Sequence, residues 1–142
     1  MMKGIIFSIV AGVFISLQGV FNSRLSEDLS PWHTTTIVHL VGFITSFIIF
    51  LFIRDGKSKG FREVPFAYLL GGMFGVVIVI GEMEAIKRLG MSLAIAALLL
   101  SQLICAFIID VRGLFGVIKL KVTSQQILGM ILIVTGIVIF KI

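Results

Sequence analysis

The chain has 142 residues, of which 58% are hydrophobic and 13% charged, about half the ~25% charged fraction of a soluble domain. A soluble domain this small cannot bury so much apolar surface in one core, and a disordered chain would be poor in apolar residues. The +5 net charge sits at the ends of apolar segments rather than on a folded basic face, which argues against nucleic acid as a partner. What remains is a small all-α integral membrane protein.

A bilayer-spanning helix needs about 20 mostly apolar residues. Five spans are predicted: 4–21, 34–53, 65–84, 91–109 and 123–140. Together they form a single transmembrane domain over residues 1–142 and leave no room for a soluble one. The first span is too long for a cleaved signal peptide. No small-residue cleavage site follows it, and Gln18 and Asn22 lie on its last turns. It also carries Gly4, Ser8, Gly12 and Ser16, each four apart, a small stripe of the kind that lets helices approach in lipid.

The breaks between spans have local causes. Ser26, Ser30 and Pro31 are expected to end the first hairpin, with Thr34 or Thr35 capping the second helix. Trp32 falls near a span end, where an amphipathic ring favours the headgroup region, and Tyr68 does the same in span three. Residues 54–60 read as a polar, flexible loop. Pro65 suits the first turn of span three. That span holds Gly71 and Gly75, a G-x-x-x-G pair. Gly90 reads as a helix stop between spans three and four. In span four Ala94, Ala97, Ser101 and Cys105 share one side. The connection from Asp110 to Val122 contains an apolar, Gly-broken stretch, residues 113–118. It is too short to span and suits the membrane interface.

Orientation follows from Lys and Arg in the short loops. Lys3, Arg54, Lys57, Lys59, Arg62, Arg112, Lys119 and Lys121 fall on one side, and Arg24, Lys87, Arg88 and Lys141 on the other. The N-terminus is therefore predicted inside and the C-terminus outside.

Polar side chains at membrane depth are costly, so those present are candidates for function. Gln18 and Asn22 are four apart and share a face, about opposite the Gly/Ser stripe. Their amides donate and accept and suit a substrate cavity, although hydrogen bonding between helices would account for them too. His39 lies on a stripe with Thr35, Gly42 and Ser46. Ser101 and Gln102 interrupt an apolar run near the centre of span four. Glu84 has Lys87 and Arg88 at i+3 and i+4, the order that favours an interfacial ion pair. Glu82 has no cation at those offsets, which makes it the better candidate for coupling to a proton or cation, whereas Asp110, with Arg112 two residues on, also suits the membrane interface. The expected substrate-binding set is thus Gln18, Asn22, His39, Ser101 and Gln102, with Glu82 and Asp110 as ion-coupling groups.

No motif of a hydrolase, zinc protease or nucleotide-binding loop is present. Two His and one Cys do not make a zinc site. Neither an enzymatic activity, a cofactor nor a metal is expected.

The segment from Ser101 to Gly116, SQLICAFIIDVRGLFG, resembles the signature of the YdcZ-like family, five-helix inner-membrane proteins of the drug/metabolite transporter superfamily. The Gln18 and Asn22 pair, Gly42-Phe43 and the closing helix with Gly129 and Gly136 fit the same pattern. The resemblance implies half of a ten-helix transporter that works as an antiparallel dimer with itself or a related chain. An odd number of spans agrees, because an odd unit paired with an inverted copy gives the symmetry of inverted-repeat transporters. Unlike the related small multidrug exporters, this chain has no carboxylate in its first span.

The expected function is secondary transport, as an exporter, of small organic solutes across a bacterial inner membrane by alternating access. The alternative is a non-transporting membrane subunit that stabilises or regulates a partner. Expected partners are membrane lipid, the inverted dimer mate and a small-molecule substrate.

Overall fold

A computed structural model of the chain describes residues 2–53, 64–119 and 121–141; the side chains of residues 67 and 141 lie outside the description. The polar loop predicted at residues 54–60 also lies outside it. The described elements are helices: α1 (Met2–Asp28), α2 (Pro31–Phe52), α3 (Phe66–Leu69), α4 (Gly71–Leu89), α5 (Met91–Arg112) and α6 (Ser124–Lys141), with a 3-10 turn at Leu114–Gly116. Three of them, α1, α2 and α5, are long and apolar enough to cross a membrane, with mean hydropathy of 2.1, 2.1 and 2.5.

The first connection is shorter than the sequence suggests. Span one was expected to end near Phe21, but α1 continues to Asp28, and only Leu29 and Ser30 separate it from α2. No Gly or Pro interrupts residues 20–30, so nothing local stops the helix earlier. Ser26 therefore sits inside α1, with its Oγ donating to the Ser23 carbonyl at 2.8 Å.

The cap of α2 is Ser30 rather than Thr34 or Thr35. Ser30 is extended (φ −65°, ψ 156°), and its hydroxyl accepts from the His33 N–H. Pro31 follows at the first helical position, where a missing N–H is harmless and φ is already set. Truncating Ser30 to Ala is expected to lower stability by about 1 kcal/mol, read as a fall in the melting temperature of the protein in detergent.

The third span, predicted as continuous over 65–84, is interrupted. α3 is one short turn, Leu70 breaks the helix, and α4 restarts at the flexible Gly71-Gly72 pair. α4 then runs to Leu89, so Glu84, Lys87 and Arg88 are all helical. Gly90 ends it as expected, with φ at +79°, a region that favours glycine.

α5 extends one turn past the predicted Ile109. Gly113 stops it in the left-handed conformation (φ 64°, ψ 38°), its N–H bonded to the Ile109 carbonyl. A reciprocal cap starts α6. The Thr123 hydroxyl accepts from the Gln126 N–H at 3.4 Å, and the Gln126 side chain accepts from the Thr123 N–H at 3.0 Å.

The backbone divides into two compact units, Met1–Glu84 and Ala85–Ile142. In the first, α1 packs against α2; in the second, α5 packs against α6. Burial runs opposite to that of a water-soluble protein. Among the described residues the buried apolar side chains are Val79, Met83 and Ala94, whereas Asn22, Ser23, Ser26, Thr34, Thr35 and Glu82 are buried polar ones. Large apolar side chains such as Phe7, Phe14, Phe43, Phe52 and Phe74 are exposed. That pattern is stable only where the surrounding solvent is hydrocarbon.

Candidate functional site

Hydroxyl groups in apolar helices can satisfy themselves by donating back to a carbonyl one turn earlier. Most of those in this chain do. Thr35 donates to Pro31 at 2.8 Å, Thr36 to Trp32 at 2.9 Å and Thr45 to Val41 at 2.8 Å. Ser101 donates to Ala97 at 2.6 Å and Thr135 to Ile131 at 2.8 Å.

Thr34 departs from this rule. Its side chain is fully buried at 0% exposure, and its Oγ1 has no hydrogen-bond partner. Among the described residues two more buried atoms share that condition, Asn22 Nδ2 and Glu82 Oε1. The residues that carry them are 4% and 5% exposed. An unsatisfied buried polar atom costs about 1–3 kcal/mol, and more when charged. Native proteins keep few such atoms, and each calls for a reason beyond packing. All three belong to the first unit.

The local fold explains their placement. Asn22 lies on the stretch of α1 beyond Phe21, which packs on α2 because only two residues join the helices. Thr34 lies on the second turn of α2, held inside the helix because Pro31 and Ser30 take the start. Glu82 shares a face of α4 with Gly75, since seven residues bring a helix round to within about 20° and advance it about 10.5 Å.

Gly75 marks where α4 meets α2. A Cβ built there would lie 2.9 Å from His39 Nε2. The other ring nitrogen of His39, Nδ1, sits 2.8 Å from the Thr35 carbonyl. A carbonyl only accepts, so Nδ1 carries the proton and donates. The ring is thereby fixed with its Nε2 edge against the glycine, and Thr35, which holds it, is itself buried.

The predicted site residues therefore fall into groups. Asn22 and Glu82 are buried in the first unit, and His39 is half-buried there between Thr35 and Gly75. Gln18 is exposed on α1, while Ser101 and Gln102 are exposed and Asp110 half-buried on α5 of the second unit. Sequence reasoning missed Thr34 as a site residue by treating it as a cap. The signal was Pro31: a proline at the first helical position puts Thr34 a turn inside.

A family model described as "Putative inner membrane exporter, YdcZ" matches residues 4–139. The chain belongs to the YdcZ family. It is similar to the inner membrane protein YdcZ of Escherichia coli (strain K12), with 28% identity over 134 residues that cover 92% of this chain and 89% of that protein. No solved structure matches the chain. With its apolar helices and inverted burial, this YdcZ-family chain is an inner-membrane protein of a family described as exporters.

Proposed function

We propose that the protein is a secondary exporter of small organic solutes that works as an antiparallel dimer by alternating access. The reading rests on one observation above all: buried polar atoms of Asn22, Thr34 and Glu82 are left unpartnered in a chain whose other helix hydroxyls are largely self-satisfied. A solute that offers acceptors to Asn22 and donors to Glu82 completes these groups when it binds. Binding of such a solute gives a reason for a membrane chain to keep them.

With α2 and α4 as successive crossings running in opposite directions, Thr34, Thr35 and Glu82 lie on the same side of the His39–Gly75 approach. A rise of 1.5 Å per residue puts Thr35 about 6 Å and Glu82 about 10.5 Å from it along the helix axes. Asn22 lies on the arm of the α1–α2 hairpin opposite, seven residues before its first loop residue. Glu82 is the coupling carboxylate in this scheme, and Asp110 the second candidate.

The dimer is supported by the amides left outside. Gln18 and Gln102 are exposed on helices long and apolar enough to cross the membrane. Gln102 is the twelfth of the 22 residues of α5, so its amide lies near mid-bilayer and lacks water. An inverted copy supplies partners, and with them the ten-helix arrangement in which each chain is one half.

Purified protein in proteoliposomes tests the function by counterflow of labelled solutes. Saturable flux is expected. Its absence across cations, amines and neutral metabolites, with the protein folded, would favour a stabilising subunit instead. Gln102→Leu is expected to abolish flux and leave the dimer assembled, because one interhelical amide contributes only roughly 0.6–2 kcal/mol. Wild-type flux in this variant would remove Gln102 from the pathway.

A further inference from the structure

The connection between α5 and α6 has a backbone that its own packing does not explain. Phe115 is in the left-handed region (φ 57°, ψ 25°), where a bulky side chain is an outlier. Such a conformation persists when the surroundings hold it, yet the Phe115 ring is 72% exposed and Ile118 is 82% exposed. Neither side chain is held by packing among the described residues.

Two features say what that is. The turn changes hand at Leu114, with Gly113, Phe115 and Gly116 all at positive φ. A helical residue followed by a left-handed one, as at Leu114-Phe115, turns adjacent backbone N–H groups toward one point, the arrangement of anion-binding concavities. The charges agree. Arg112 closes α5, and Lys119 folds back over the turn, so that a Cβ on Gly113 would lie 3.2 Å from the Lys119 Cβ. Lys121 follows, and no Asp or Glu occurs after Asp110. In the orientation predicted with the N-terminus inside, the loop faces the cytoplasm, where anionic headgroups attract basic juxtamembrane segments.

We propose that this turn is a binding site for the phosphate headgroup of an anionic phospholipid. Arg112, Lys119 and Lys121 face the phosphate, and Phe115 and Ile118 sit at the acyl boundary beside it. The exposed apolar pair selects a lipid over free phosphate, which would leave both side chains in water. The inference is independent of transport.

The test is thermal unfolding of the full chain in detergent, titrated with phosphatidylglycerol, phosphatidylcholine or inorganic phosphate. Phosphatidylglycerol is expected to raise the melting temperature well above the other two. The double variant Lys119→Gln/Lys121→Gln is expected to weaken phosphatidylglycerol binding about thirty-fold. Phe115→Gly should stabilise the lipid-free protein, because glycine accepts positive φ, and weaken the lipid effect. Equal shifts with phosphatidylcholine, equal shifts with inorganic phosphate, or undiminished binding in both variants would each overturn the proposal.

Discussion

Replacing Thr34 by Val is expected to make the protein more stable and a poorer transporter. Val keeps the shape and removes a hydroxyl that is fully buried and unpartnered. Relief of one such group stabilises by roughly 1–3 kcal/mol, which at roughly 4 °C per kcal/mol is easily read in a melting curve. Glu82→Leu carries the same logic further, since a carboxyl group has more hydrogen-bonding capacity to leave unmet than a hydroxyl. Its loss removes a hydrogen bond to the solute, about 0.5–3 kcal/mol across the neutral and charged cases, so apparent solute affinity is expected to fall roughly two- to a hundred-fold. Glu82→Gln separates charge from hydrogen bonding, because the amide still reaches a ligand but cannot ionise. Stability and flux should thus move in opposite directions. A lower melting temperature for Thr34→Val, or normal flux in Glu82→Leu, would sink the idea that these groups are kept for a ligand.

Gly75→Ala is expected to destabilise the first unit by about 1–3 kcal/mol through overpacking. The added methyl would lie 2.9 Å from His39 Nε2, closer than real carbons approach. The ring must shift by several tenths of an ångström, which strains its bond to the Thr35 carbonyl, 2.8 Å away. If the clash is the cause, His39→Ala should rescue it. The double variant is then expected to be more stable than the sum of the single losses by about 0.5–3 kcal/mol. Melting curves of the four proteins close the cycle, and strictly additive losses would show that the glycine matters for another reason.

The sites of these two experiments were unequally legible in the sequence. His39 and the Gly71/Gly75 pair could each be singled out, because a titratable ring is rare in membrane-spanning helices and a G-x-x-x-G pair there marks close helix approach. Their meeting could not, since it depends on how two helices are turned about their axes. Glu82 was separable from Glu84 by counting offsets to Lys87 and Arg88. Thr34 was not, because in a run of three threonines only the packed structure shows which hydroxyl is buried without a partner. Gln18 and Gln102 are conspicuous in sequence for the same reason as Asn22, yet the fold buries only Asn22. Periodicity reports which residues share a face but not what that face meets.

Membrane residence and the five apolar segments were determined by the sequence alone, because hydrophobic transfer energies add along the chain and need no knowledge of neighbours. Gly90 and Gly113 likewise set helix ends by local backbone preference. The burial of Asn22, Thr34 and Glu82, and the meeting of His39 with Gly75, were decided only in three dimensions. A polar group in lipid is stable or unstable according to what stands opposite it, and that depends on which helices pack together.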